Sequence, residues 1–206
     1  FFFFFIEAAR NFCNKIWNAA RFVLMNLDIT SVSVPQPQQL HLEDKWILSA
    51  YNTLAEQVTA NLDRFEIGIA LAKLYDFIWD VFCDWYIELV KPRLWGDDEE
   101  DKKVARFTLV MCLKNMLKLL HPFMPFITEE IWGFLPHGED EKGYLIKAQW
   151  PKTSLNYIYP KASGILETSM DAIKAIRNIR AEKNVVPSKK LRAIILSEGE
   201  KEETLK

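Results

Sequence analysis

Residues 63–91 read DRFEIGIALAKLYDFIWDVFCDWYIELVK, and this stretch decides the fold. Apolar side chains recur along it at helical spacing in two neighbouring rows. The first row contains Ile67, Leu71, Leu74, Ile78, Val81, Trp85 and Leu89, and the second contains Tyr75, Trp79, Phe82 and Tyr86. Leaving such side chains in water forfeits about 1.5–3 kcal/mol each, so both rows must pack against other helices. The stretch predicts a central helix, which Pro92 should end because proline lacks a backbone N–H.

Five further segments repeat apolar residues at helical spacing: residues 6–27, 43–62, 102–120, 127–135 and 161–183. The Ser-, Pro- and Gln-rich residues 28–39 predict an exposed connector between the first two of these helices. Short joins elsewhere make consecutive helices antiparallel neighbours. The sequence therefore predicts an all-α helical bundle over residues 6–136.

The C-terminal part has a different pattern. Residues 136–142 predict a loop, and we expect β-type or extended backbone at residues 144–150 and again at residues 192–197. Together with the basic helix at 161–183, these residues predict a small mixed α/β extension over 137–206. A terminal strand without a visible partner indicates that the chain was cut from something longer.

Composition limits the class of protein. Half of the 206 residues are hydrophobic and the formal net charge is −2, which is typical of a soluble globular protein and not of a basic nucleic-acid binder. No run of about twenty apolar residues predicts a membrane span, and the FFFFFI start has neither the basic lead nor the cleavage site of a signal peptide. The three cysteines form no Cys-x-x-Cys pair, so we expect reduced thiols in a cytoplasmic protein, without a zinc site. No inference is drawn from Phe1–Phe5.

Basic residues concentrate at the two ends of the chain. Residues 160–192 contain eight Lys or Arg against three Asp or Glu, and residues 1–27 contain three against one. On the first helix, amide, guanidinium and indole groups share one face at helical spacing: Arg10, Asn14, Trp17, Asn18 and Arg21. Such groups suit hydrogen bonding to base edges and stacking on unpaired bases, which predicts an RNA-binding surface. The alternative is that the amides cap or cross-link neighbouring helices.

The basic C-terminal helix predicts a second part of this surface. Arg177, Arg180 and Lys189 are the candidates there, because cations on an exposed flank attract the phosphate backbone. The alternative is that Arg177 and Arg180 pair with Glu182 or with the acidic run at residues 97–101.

Catalytic patterns are missing from the sequence. It contains no glycine-rich phosphate loop, no His-Glu-x-x-His helix and no nucleophile elbow, and only seven glycines and three histidines. His121, beside Pro122, is expected to cap carbonyls and not to bind a metal. We therefore assign no catalytic and no metal-binding residue, and no cofactor, to this chain.

Four blocks of the sequence resemble the valyl-tRNA synthetase family. They are RNFCNKIWNAARFVLMNL at 10–27, LAKLYDFIWDVFCDWYIELVK at 71–91, LLHPFMPFITEEIWGFLP at 119–136 and IRNIRAEKNVVPSKKL at 176–191. The resemblance extends from about residue 7 to residue 196, in the family's order. The first and third blocks are also similar to isoleucyl and leucyl enzymes, whereas the fourth is most similar to the valyl family.

The resemblance implies the helical anticodon-binding domain that follows the catalytic domain in these synthetases. It implies tRNA(Val) and the parent's catalytic domain as partners, and ATP-dependent attachment of L-valine as the parent's activity. The family's His-Ile-Gly-His and Lys-Met-Ser-Lys-Ser signatures are absent, so that activity would belong to another domain. The alternatives are the corresponding domain of an isoleucyl- or leucyl-type enzyme, an architectural bundle that binds a protein partner, and an independent enzyme.

Overall fold

The computed structural model describes residues 2–27, 34–138, 141, 143–186 and 188–196. Its longer elements are α1 (Phe2–Met25), α2 (Leu42–Asp63), α3 (Ile67–Asp76), a π-helical segment (Phe77–Tyr86), α4 (Ile87–Leu94), α5 (Glu99–Leu120), α6 (Pro125–Trp132) and α7 (Pro160–Glu182). Single 3-10 turns lie at Leu145–Lys147 and Leu155–Tyr157. The predicted all-α helical bundle is confirmed. The chain forms two compact units, Phe1–Ile158 and Tyr159–Lys206.

No β-strand is found in the described part of residues 137–206. The prediction for residues 144–150 is wrong at Leu145–Lys147, which form a 3-10 turn, whereas the flanking Tyr144 and Ala148 have extended backbone. The Leu145 side chain is buried, and its N–H donates to Glu129 Oε1 at 2.9 Å, so this turn is anchored on a helix and not on a strand. Residues 192–196 are irregular, and Ser197 lies outside the described residues. The division predicted at residue 136 stays a prediction. The connector predicted at residues 28–39 is irregular and largely exposed over residues 34–39, and residues 28–33 lie outside the described residues.

The central helix buries the middle of its two predicted rows, at Leu74, Ile78, Phe82 and Tyr86. Four further members are half-buried: Trp79, Val81, Trp85 and Leu89. Both rows are wrong at their start, since Ile67, Leu71 and Tyr75 are exposed. No helix within the described residues has the length and apolar character needed to cross a membrane.

Pro92 does not end this helix. The chain remains helical to Leu94, so that prediction is wrong. A proline costs the helix one hydrogen bond, and two neighbours offset that loss. Leu94 is buried, and the Arg93 guanidinium is held by carboxylates from two other helices.

A buried ion pair joins four elements of the bundle. Asp44 on α2 is completely buried, and its Oδ2 lies 2.8 Å from Nη1 of Arg93 on α4. Tyr86 of the π-helical segment donates its hydroxyl to Asp44 Oδ1 at 2.8 Å. Nε of Arg93 also donates to Asp101 of α5 at 2.8 Å. Burial raises the pKa of Asp44, while the Arg93 charge and the Tyr86 hydroxyl oppose that rise.

Replacing Arg93 by an uncharged residue should lower the free energy of unfolding, because Asp44 stays buried without a counter-charge. Arg93→Met leaves Asp44 without its counter-charge, so we expect a loss of about 3–5 kcal/mol in the free energy of unfolding at pH 7. The loss should shrink as the pH falls, because Asp44 then takes up a proton. Chemical denaturation at several pH values measures it.

The control is Arg10→Met, which removes an exposed ion pair to Glu7 and should cost less than about 1 kcal/mol. An equally small loss for Arg93→Met would show that the buried pair contributes little. The double variant Asp44→Asn, Arg93→Met should recover part of the stability.

The α2–α3 turn contains a strained residue. Phe65 has φ of 60°, a conformation that glycine adopts easily and a bulky side chain rarely does. Two hydrogen bonds of a helix C-terminal cap close the turn, Phe65 N–H to Leu62 O at 2.9 Å and Glu66 N–H to Asn61 O at 2.8 Å. The ring is 88% exposed, so packing does not offset the strain.

Relieving this strain should stabilise the protein. We expect Phe65→Gly to raise the free energy of unfolding by about 0.5–1 kcal/mol, measured by thermal or urea denaturation. Phe65→Ala is the matched control, because it removes the ring but keeps the Cβ atom in the strained conformation. Equal stabilisation by both variants would assign the effect to ring exposure instead of the backbone.

Candidate nucleic-acid interface

Helix α1 is oriented by its buried side. Its apolar stripe is buried at Phe12, Ile16, Ala19, Ala20 and Val23. Phe12 stacks on Tyr75 of α3 with 4.6 Å between ring centroids, and Tyr75 in turn stacks on Trp79 at 5.5 Å. These ring contacts fix the rotation of α1 about its axis. The opposite side of the helix therefore faces solvent.

The five predicted α1 residues lie on that opposite side, at spacings that keep them on one face. Asn14, Asn18 and Arg21 are exposed, and Trp17 is 38% exposed. Arg10 is exposed and lies 3.6 Å from Glu7, which makes a weak surface ion pair. Within the described residues, the side chains of Asn14, Asn18 and Arg21 have no hydrogen bond or ion pair, so no cross-link to a neighbouring helix is found there.

Lys15 belongs to the same helix but has a structural task. Its Nζ lies 2.5 Å from Asp84 Oδ1 and 4.4 Å from the centroid of the Trp79 ring. The ion pair and the cation–π contact tie α1 to the π-helical segment. The sequence did not predict this contact, because Lys15 on α1 is distant in sequence from Trp79 and Asp84.

In the second unit, the structure brings Arg180 and Lys189 together. Nη2 of Arg180 donates to the carbonyl of Val186 at 2.7 Å and to that of Lys189 at 2.9 Å. The guanidinium thus closes the turn after α7, where Asn184 has φ of 51°. Lys189 and Arg177 are exposed. Both of these acceptors are backbone carbonyls.

The hydrogen bond of His121 is made to a side chain of the bundle itself. Its Nδ1 lies 2.8 Å from Oγ1 of Thr128, which itself donates to the Met124 carbonyl at 2.8 Å. His121 therefore supports the start of α6 through Thr128. Across the described residues, no group of three or more His, Cys, Asp or Glu side chains converges in a way that suits a metal ion.

Comparison with known proteins assigns this bundle. The chain belongs to the family described as the anticodon-binding domain of tRNA ligase, whose model matches residues 44–195. Its relatives include valine–tRNA ligases. The protein of Carboxydothermus hydrogenoformans is 48% identical over 195 residues, with 95% of this chain and 22% of that protein covered. The protein of Clostridium acetobutylicum is 49% identical over 196 residues with the same coverage.

A solved structure supports the fold. The ternary complex of Agrobacterium radiobacter K84 agnB2 LeuRS with tRNA and LeuAMS matches with a TM-score of 0.54 and 20% identity, over 74% of this chain and 17% of that chain. At this identity the likeness concerns the fold alone. The chain spans 22% of the length of the valine–tRNA ligases above.

Proposed function

We propose that this chain is the tRNA anticodon-binding domain of a valine–tRNA ligase and that it recognises tRNA(Val). The observation that carries the proposal is the exposed face of α1, where two amides, two guanidinium groups and an indole ring are presented by one rigid helix. An anticodon loop offers unstacked bases, which proteins recognise by amide hydrogen bonds to base edges and by aromatic or guanidinium stacking. The family assignment and the valine–tRNA ligase relatives support the same function.

The α1 residues divide the work by chemistry. Asn14 and Asn18 hydrogen-bond base edges, Trp17 stacks on a base, and Arg10 and Arg21 stack on bases or pair with phosphate. Stacking contributes about 1–3 kcal/mol per base, so one ring outweighs a single phosphate contact at cellular salt. Arg177, Arg180 and Lys189 attract the tRNA backbone by charge, and Arg180 also holds the turn that carries Lys189.

The parent protein, on this proposal, attaches L-valine to tRNA(Val) at the expense of ATP in the cytoplasm. The catalytic domain of the same polypeptide binds the ATP, and this chain supplies recognition of the tRNA. The match to about a fifth of the length of the valine–tRNA ligases supports this division.

The anticodon contacts can be tested directly with the chain itself. We expect it to bind a tRNA(Val) transcript more tightly than the same transcript with an alanine anticodon, in fluorescence anisotropy at fixed salt. Asn18→Ala should weaken binding of the valine transcript about tenfold, which is about 1.4 kcal/mol, because it removes the hydrogen bonds between the side-chain amide and a base edge. Alanine is a better helix former than asparagine, so α1 should remain folded.

The matched control is Asn156→Ala, which removes an exposed amide from the 3-10 turn at Leu155–Tyr157 and should leave binding unchanged. Equal affinity for both transcripts would refute anticodon recognition. It would favour the second candidate function, an architectural bundle, which exposed apolar side chains such as Phe126 and Phe134 make possible.

The two tasks of Arg180 can be separated by salt dependence. Arg180→Gln should lower the affinity for tRNA(Val) and reduce the slope of log affinity against log salt by about 0.7–0.9, the value for one phosphate contact. Arg180→Lys keeps the charge but loses the two-carbonyl geometry, so it should keep the slope and lose about threefold in affinity.

Lys189→Ala is the comparison variant for this pair and should reduce the slope by the same amount, with the turn intact. An unchanged slope for Arg180→Gln would show that Arg180 contributes no charge to binding. Full affinity for Arg180→Lys would show that closing the turn is irrelevant to the tRNA.

A further inference from the structure

An open groove runs along the outer side of α6. It has a volume of about 640 Å³, and one wall is the helix itself while the other is the chain around the 3-10 turn at Leu145–Lys147. Its principal lining residues are Phe126, Glu129, Glu130, Phe134, Tyr144 and Ile146. None of these residues belongs to the surface proposed for tRNA. The groove is therefore a separate feature of the first unit.

The two walls are held together by polar contacts behind the groove. Glu129 Oε1 accepts the Leu145 N–H at 2.9 Å, and Nε1 of Trp132 donates to the Gly143 carbonyl at 3.1 Å. Leu145 and Trp132 are both buried. The groove is accordingly a fixed shape in the folded unit, formed by two segments that are locked to each other.

The lining is strongly apolar and open to water. Phe126 is 90% exposed and Ile146 is 75% exposed, and Phe134 and Tyr144 are exposed as well. Single exposed apolar residues are common on protein surfaces, but four of them around one concave surface mark an interaction site. Three of the four carry aromatic rings, which are enriched at binding surfaces.

The charged groups that line the groove are acidic. Glu129 and Glu130 supply carboxylates, and among the residues that the structure describes no lysine or arginine lines it. Glu130 lies four residues after Phe126 on α6, so a carboxylate and a ring share one face of the helix, and Phe134 lies just beyond its C-terminus. His121 lies at the edge, with its Nε2 3.9 Å from Glu129 Oε2. The occupant must therefore be cationic and partly apolar.

We infer that this groove binds a protein segment that carries an arginine between apolar side chains. A guanidinium can stack its face on an aromatic ring and, in its own plane, donate two hydrogen bonds to a carboxylate. The groove offers both partners, the ring of Phe126 and the carboxylate of Glu130. A lysine ammonium is more strongly hydrated and cannot make the planar contact. The open, elongated shape suits an extended segment, whose apolar neighbours contact Tyr144 and Ile146.

The test uses the whole chain and three synthetic peptides of alternating leucine with arginine, lysine or citrulline. Citrulline has the shape of arginine without its charge. Chemical-shift perturbation of the ¹⁵N-labelled chain reports both the affinity and the site. We expect the arginine peptide to perturb residues around α6 and to bind about tenfold more tightly than the citrulline peptide, with the lysine peptide between them.

Glu130→Gln should lower the affinity for the arginine peptide to that for the citrulline peptide and leave the citrulline affinity unchanged. Phe126→Ala should weaken the arginine peptide by about fivefold. Glu56→Gln, an exposed carboxylate on α2, is the control and should change nothing. Binding of tRNA(Val) should be unaffected by Glu130→Gln, which separates this inference from the proposed function.

Three results would overturn the inference. They are equal binding of the arginine and citrulline peptides, absence of perturbation around α6 at millimolar peptide, and concentration-dependent self-association of the chain with the α6 signals at its interface. The last would mean that a second copy occupies the groove.

Discussion

The stability of the bundle depends on one buried charge, the carboxylate of Asp44. Asp44 is completely buried, and its carboxylate is tolerated because Arg93 and Tyr86 both donate to it at 2.8 Å. A lone buried carboxylate is costly, so helices α2 and α4 and the π-helical segment must keep this arrangement together. Asp101 extends the constraint to α5. One cation thereby sets the mutual positions of four elements.

The proposed RNA surface depends on these positions indirectly. The π-helical segment carries Trp79 and Asp84, which hold Lys15 of α1, while Phe12 stacks on Tyr75 just before it. The rotation of α1 is thus set by a segment that the buried pair has already placed. On the polar face, Asn14, Asn18 and Arg21 have no side-chain partner among the described residues. The face is still held in one orientation, because the apolar face behind it makes several contacts.

Sequence periodicity predicted the helices and their order well, because amphipathic spacing is a property of each segment alone. It also placed the five α1 residues on one face, which the structure exposes. The errors arose where distant contacts override local signals: the helix continues past Pro92 because Arg93 and Leu94 are held elsewhere, and Leu145 turns towards Glu129 instead of joining a strand. The carbonyl contacts of Arg180 and the groove along α6 required coordinates, since no spacing rule joins their parts.

The π-helical segment has a consequence for how this domain tolerates change in length. Its hydrogen bonds join residues five apart, as from Ile87 N–H to Phe82 O, so it accommodates more residues per turn than an α-helix. Deleting one residue there would favour ordinary α-helical winding, which holds fewer residues per turn, so the change in winding takes up part of the change in length. In a regular helix such as α5 there is no such compensation, and the loss of one residue turns everything beyond it by about 100°. A single-codon deletion in the π-helical stretch is therefore expected to be milder than one in α5.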